Sequence, residues 1–200
     1  MTRIITIGRQ LGSGGREIGR RIAESLQIAY YDQEIIRELA RRTDLAENYI
    51  RNVEERKPVP LMPITTGQSF SFYYAHMEDP QQKVYVEQSR LIKEIAETSD
   101  CVIVGRCADY ILREMNPFRI FIYADLPARM ARCRARGKED EQMSDKDLKK
   151  KILSVDKARR DYYQYFTDQK WGDKESYDLM VNTTDRDIKE VTAAIIRYLG

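Results

Sequence analysis

Three features of the sequence predict an α/β fold, a doubly wound sheet of five parallel strands. Short β-branched runs alternate with amphipathic stretches along the chain. Two of those runs, 101–104 (CVIV) and 119–123 (RIFIY), are nearly continuously apolar, as strands are when helices cover both faces. The first run passes through a glycine cluster into a helical pattern, the layout of a strand feeding a right-handed crossover.

The elements follow in order. Strand 3–7 (RIITI) contributes Ile4, Ile5 and Ile7, and Gly8, Gly12, Gly14 and Gly15 form the next turn. Ile18, Ile22 and Leu26 share one face of a helix over 15–26. Strand 28–31 (IAYY) ends at Asp32, and helices are expected over 33–42 and 44–55. The stretch 57–80 carries four prolines and the aromatic run SFSFYY beside His76, too apolar for a plain linker; it is expected to cover a pocket or make a subunit contact. Beyond it the pattern predicts helix 81–97, strand 101–104, helix 106–114, strand 119–123 and helix 127–136. The polar stretch 137–145 has no periodicity and reads as a loop before helix 145–165, strand 178–181 and helix 186–198. There is no internal repeat, so residues 1–200 are expected to form one domain. Ligands of such sheets sit outside the carboxyl ends of the strands.

Composition narrows the classes. A chain that is 42% hydrophobic and 33% charged, with net charge +2, is an ordinary soluble composition and gives no support for a nucleic-acid partner. No apolar run reaches the ~18 residues needed to span a membrane. Cys101, Cys107 and Cys133 lack paired metal spacing and read as reduced thiols of a cytoplasmic protein, and one histidine makes a His-based zinc site improbable.

The glycine turn carries the chemistry. A phosphate-binding loop reads G-x-x-x-x-G-K-[ST], with lysine on the β/γ-phosphates and the hydroxyl on Mg²⁺. Here five residues separate Gly8 from Gly14, Gly15 takes the lysine position and Arg16 the hydroxyl position. The backbone cradle of Gly12, Ser13, Gly14 and Gly15 is retained, and Arg9, Arg16 and Arg20 are near enough to replace the missing charge. A dinucleotide fingerprint starts at Gly12 and Gly14 but meets Glu17 at its third glycine.

Charged residues elsewhere fit phosphate. Asp32, at the end of the second strand, suits Mg²⁺ held through water or an acceptor hydroxyl, and equally the N-cap of the following helix. Arg106 leaves a buried strand after Gly105, where it either pairs with Asp32 or Asp109 or meets a phosphate. Arg129, Arg132 and Arg136 recur at i, i+3 and i+7, and Asp156 and Arg159 follow on the next long helix. Two arginine-bearing helices around a polar loop are the geometry of a closing lid, or else a solvated basic face.

The motifs "GSGGREIG", "YYDQEII", "VIVGRCADYIL" and "SVDKARRDYYQYFTDQKWGDKESYDLMVNTT" together resemble the cytidylate-kinase-like branch of the P-loop nucleoside monophosphate kinases, over roughly residues 3–195. Two departures touch acceptor recognition: Val104 stands where an acid precedes the Gly-Arg, and Gln33-Glu34 replace a Ser-Gly. The resemblance implies a P-loop kinase sheet with a helical acceptor-side insertion at about 33–98 and a lid at about 129–160. It implies ATP and Mg²⁺ as cofactors, a nucleoside monophosphate or related small acceptor, and no nucleic-acid or membrane partner, with a homo-oligomer left open. Gly12–Gly15 would cradle the donor, with Arg16 in place of the lysine. Arg106, Asp156 and Arg159 would grip the acceptor, and Arg129 and Arg132 would close from the lid side. The rival is a regulatory nucleotide binder with a degenerate loop.

Overall fold

The computed structural model describes residues 2–43, 45–47, 50, 80–136 and 138–200. The sheet is five-stranded, in the order β2-β3-β1-β4-β5. Its strands are β1 (Ile4–Arg9), β2 (Ala29–Tyr31), β3 (Cys101–Val104), β4 (Phe118–Tyr123) and β5 (Leu179–Asn182). Every pairing is parallel; Ile7 of β1 stands opposite Val104 of β3 on one side and Ile120 of β4 on the other. The chain order reverses at β1, so the crevice opens beside the glycine turn.

Both faces are covered, which explains the apolar runs. Ile5, Ile7, Val102, Val104, Ile120 and Ile122 point to one face, beneath α1 (Gly15–Leu26) and α8 (Ile188–Leu199). Ile4, Cys101 and Ile103 point to the other, beneath α2 (Gln33–Thr43), α3 (Pro80–Thr98), α4 (Ala108–Ile111) and α7 (Asp145–Thr167). Each of these fully buried isoleucines contributes about 1.5–3 kcal/mol, so register along β1 and β3 is strongly specified.

Helices start where the sequence supplies a cap. Ser144 accepts from the Asp147 amide at the head of α7, and Asp187 accepts from the Lys189 and Glu190 amides at the head of α8. Those amides hold the Asp187 carboxyl below its usual range. Helix α1 has no side-chain cap; Gly14, at φ 88°, turns the chain into it.

Two expectations change. The loop read over 137–145 contains a helical turn, α6 (Lys138–Glu141), between α5 (Leu126–Arg136) and α7. A four-residue helix is barely one turn, too short to show periodicity, and Asp140 is held by Lys151 Nζ at 2.6 Å. The helix expected over 106–114 is also shorter: α4 gives way to a 3-10 turn at Arg113–Met115. Of the helix expected over 44–55, only residues 45–47 and 50 are described, where the Ile50 amide donates to the Ala46 carbonyl. The apolar stretch up to residue 79, with His76 and the 70–74 aromatics, lies outside the described residues.

Candidate functional site

The glycine turn is held from three sides. The Leu11 amide donates to Asp156 Oδ1 at 2.8 Å, and the Leu11 carbonyl accepts from Arg129 Nε at 2.8 Å. The Ser13 hydroxyl donates to the Gln10 carbonyl, and Thr183 Oγ1 donates to the Ser13 carbonyl, each at 2.8 Å. Gly12 and Gly14 both take positive φ, 78° and 88°. A Cβ on Gly12 would lie 2.6 Å from the Arg129 carbonyl oxygen. The turn therefore delivers the uncapped N-terminus of α1, with its outward amides and positive dipole end, to the carboxyl edge of the sheet. An anion is the complement of such a site.

Asp32 sits at the same edge, buried, between two arginines. Arg16 Nε lies 2.9 Å from its Oδ2, and Arg9 Nη2 lies 3.8 Å from its Oδ1. Oδ1 accepts no hydrogen bond among the described residues. The Arg16 side chain is half exposed, whereas Arg9 is 8% exposed. Burial and the Asp32 carboxylate push the neighbouring Tyr30 phenol up to about 12.

Next to this cluster, β3 ends in three successive left-handed residues, Gly105 (φ 78°), Arg106 (φ 63°) and Cys107 (φ 54°). For the two non-glycine residues this costs roughly 1–2 kcal/mol each, strain that concentrates where a side chain must be aimed. Arg106 is buried; its Nε donates to the Asp32 carbonyl at 3.3 Å, and its own carbonyl accepts from Gln88 Nε2 at 3.0 Å. Below it, the Tyr163 hydroxyl donates to Asp109 Oδ2 at 2.7 Å. Burial pushes the Asp109 carboxyl up, against the opposing pull of that hydroxyl.

These groups line two clefts. One, with about 730 Å³ of open space, runs along Gly12, Gly14, Gly15, Arg16 and Arg132. The other, with about 420 Å³, is bounded by Gly105, Arg106, Asp109, Tyr163, Trp171 and Tyr177. Arg9 and Arg159 line both. Arg106 and Arg159 are thus brought to one cleft, as their positions in sequence suggest.

The remaining predicted residues are engaged with the protein itself. Arg129 is buried, and its Nη2 pairs with Asp156 Oδ2. Asp156 thereby joins α5, α7 and the glycine turn, with Arg159 Nη1 3.8 Å from its Oδ1. Arg132 donates to the carbonyl and hydroxyl of Thr183, and burial, then Arg136, holds its guanidinium below the usual range. Arg136 pairs with Glu17. Arg9 and Asp109, which the sequence offers only as a nearby charge and as a possible partner of Arg106, both line the clefts. The signal for Arg9 is its place as the last residue of β1, at the edge where ligands bind.

Among the described residues no cluster of three metal-ligating side chains occurs, and no helix is long and apolar enough to cross a membrane. The sheet order is that of shikimate-kinase-type P-loop kinases. The chain is similar to an uncharacterized protein of Eubacterium ventriosum at 27% identity and a TM-score of 0.70, over 98% of both chains. It is similar in fold to a shikimate kinase from Bacteroides thetaiotaomicron, with TM-score 0.58, 15% identity and 98% of each chain covered. A sugar kinase from a Janibacter species shares the fold at TM-score 0.58 and 11% identity, over 100% of this chain and 95% of that one. No curated protein matches the chain. The family model of the cytidylate kinase-like family matches residues 4–185, and the chain belongs to that family.

Proposed function

We propose that this chain is an ATP-dependent phosphotransferase acting on a nucleoside monophosphate or related small anionic acceptor. The observation that carries the reading is the pair of clefts meeting at Arg9 and Arg159: one is walled by an uncapped helix N-terminus, the other by Arg106. A phosphoryl donor and an acceptor need two adjoining sites with positive charge at their junction.

The residues fit the ligands. The turn at Gly12 and Gly14 has no room for a Cβ against Arg129 and Ile188, so the backbone there keeps the path a phosphate cradle needs. Asp32 Oδ1 accepts no hydrogen bond among the described residues, and Mg²⁺ bound to nucleotide commonly takes one or two carboxylates through water. Such an ion would supply charge neutralisation on the phosphates. Arg16 places positive charge at the mouth of the donor cleft. Arg106 and Arg159 orient the acceptor's anionic group. An acceptor oxygen, either a phosphate oxygen of a monophosphate or a hydroxyl oxygen whose proton Asp32 takes directly or through water, bonds to the terminal phosphorus as the bond from phosphorus to the departing diphosphate oxygen breaks.

The test is ADP formation from ATP and Mg²⁺ across nucleoside monophosphates, nucleosides and hydroxy acids. Shikimate belongs in the panel because a fold neighbour, a shikimate kinase from Acinetobacter baumannii, was solved in complex with it. One acceptor should raise ADP release well above the water rate. ATP binding indifferent to every acceptor would favour the regulatory reading, to which the glycine at the lysine position already lends weight.

A further inference from the structure

Gly15 stands where a phosphate-binding loop carries its lysine, and the structure shows what fills that lysine's place. A Cβ on Gly15 would lie 2.6 Å from Arg9 Cβ and 3.1 Å from Arg9 Cγ. At the other end of the same side chain, a Cβ on Gly105 would lie 1.6 Å from Arg9 Nη1 and 2.7 Å from its Cζ. Glycines from two separate segments thus clear a channel for one arginine, Gly15 beside its stem and Gly105 beside its head. Side chain and channel are mutually exclusive with a lysine at 15.

We infer that Arg9 is the residue that replaces the missing lysine, contacting the donor's terminal phosphate from the strand side of the loop. The inference rests on the phosphotransferase reading and moves the lysine's role from Arg16, the next residue in the loop. Four observations favour Arg9. It lines both clefts, whereas Arg16 lines only the donor side. It is 8% exposed, and its channel fixes it in place, so its charge acts with little screening and little reorganisation. Asp32, 3.8 Å away, balances that charge without ligand. Arg20, the other nearby candidate, is exposed beside Glu24 at 3.7 Å. A forked guanidinium at the junction can also hold donor and acceptor oxygens at once, which a point-charge ammonium does less well.

The experiment measures turnover, ATP and AMP affinity and inorganic tripolyphosphate affinity for the wild type, Arg9→Met, Arg16→Met, Gly15→Lys and the exchange Arg9→Gly/Gly15→Lys. Arg9→Met should lower turnover by about 10²–10³, the size of losing one preorganised donor. It should also weaken tripolyphosphate binding and cut the preference for ATP over AMP at least tenfold, with Arg16→Met losing less in each. Gly15→Lys should fail, and the exchange should recover at least tenfold over Arg9→Met by returning cation and glycine to the ordinary order. Should the substitutions unfold the chain, the wild type still decides. Its Arg9 Nε–H resonance, assigned through side-chain-to-backbone correlations in the wild type itself, should shift with ATP or tripolyphosphate and stay still with AMP. ATP binding and turnover unchanged in folded Arg9→Met, or a resonance indifferent to tripolyphosphate while ATP binds, would overturn the role of Arg9 alone. A wild type that binds neither ATP nor tripolyphosphate would overturn the functional reading and this inference with it.

Discussion

The arginines of α5 and those at the carboxyl edge of the sheet meet opposite surroundings. On α5, Arg129 ends on Asp156 and the Leu11 carbonyl, Arg132 on Thr183, and Arg136 on Glu17. Each bonds a neighbouring segment that supports the glycine turn or the helix behind it. Arg132 and Arg136 also border the donor cleft, but at the sheet edge and on α7 it is Arg9 and Arg159 that line both clefts, with Arg106 lining the second. The same residue type ends on protein partners that brace the frame in one region and stands where the two clefts meet in the other. What decides the role is the group opposite the guanidinium; helical spacing carries no information about that group.

The comparison breaks most visibly at Arg129 and Asp156, whose side chains are 5% and 6% exposed. Removing one partner leaves a buried charge, so Asp156→Ala should cost about 3–5 kcal/mol of stability in urea unfolding. The apolar pair Arg129→Met/Asp156→Leu should restore most of it. If Asp156→Ala unfolds at the wild-type midpoint and instead loses acceptor affinity, the frame assignment is wrong.

Arg106 should show the converse. Arg106→Ala should lower kcat/KM for the acceptor by about 10²–10³ and raise its KM, with ATP affinity nearly intact. Its effect on stability should be smaller than that of Asp156→Ala, since its Nε bond to the Asp32 carbonyl is long, at 3.3 Å, whereas Asp156 leaves a buried guanidinium behind. A matching loss of ATP affinity would merge the two clefts into one site.

The sheet was legible because period-two burial on both faces writes itself as apolar runs. All five strands fall within a residue or two of the expected spans, and the glycine turn meets α1 at Gly15 as anticipated. The arginines were legible only as a set. That Arg106 and Arg159 share a cleft follows from strand ends and the return of α7 across the sheet edge, both readable in order along the chain. That Arg129 is consumed by Asp156 depends on two residues 27 apart meeting across α5 and α7. Arg9 was legible only as one of three nearby arginines, because the space it fills is defined by Gly15 and Gly105 together, two glycines far apart in the chain.

A smaller effect should sharpen the α5 side. Arg132 ties α5 to Thr183, and Thr183 Oγ1 in turn donates to the Ser13 carbonyl at 2.8 Å. Arg132→Met should cost about 1–2 kcal/mol in stability through lost hydrogen bonds to a buried threonine. Donor affinity should weaken modestly, because the turn loses one support and the donor cleft loses one bordering charge. An acceptor KM that rises while stability holds would move Arg132 into the ligand-facing group.

The least effect is expected at a second buried carboxyl, and it separates two ways of keeping an acid inside. Asp156 faces a guanidinium, whereas Asp109 is held by the Tyr163 hydroxyl, and burial raises its affinity for a proton. A carboxyl whose folded pKa lies above its unfolded value, about 3.9, makes its full contribution to stability below that value. The contribution is lost as pH rises through the higher folded value, because the folded state then gives up a proton that it holds more tightly than the unfolded chain does. Asp109→Asn cannot titrate, and its amide oxygen can still accept from Tyr163. The midpoint of Asp109→Asn relative to wild type should therefore move in the variant's favour as pH rises from 3 towards neutrality, measured by thermal unfolding in matched ionic strength. A difference that stays flat with pH, or moves the other way, would mean that Asp109 is stabilised as a carboxylate by the arginines of the neighbouring cleft, and the floor of that cleft would then belong with the charge-paired frame.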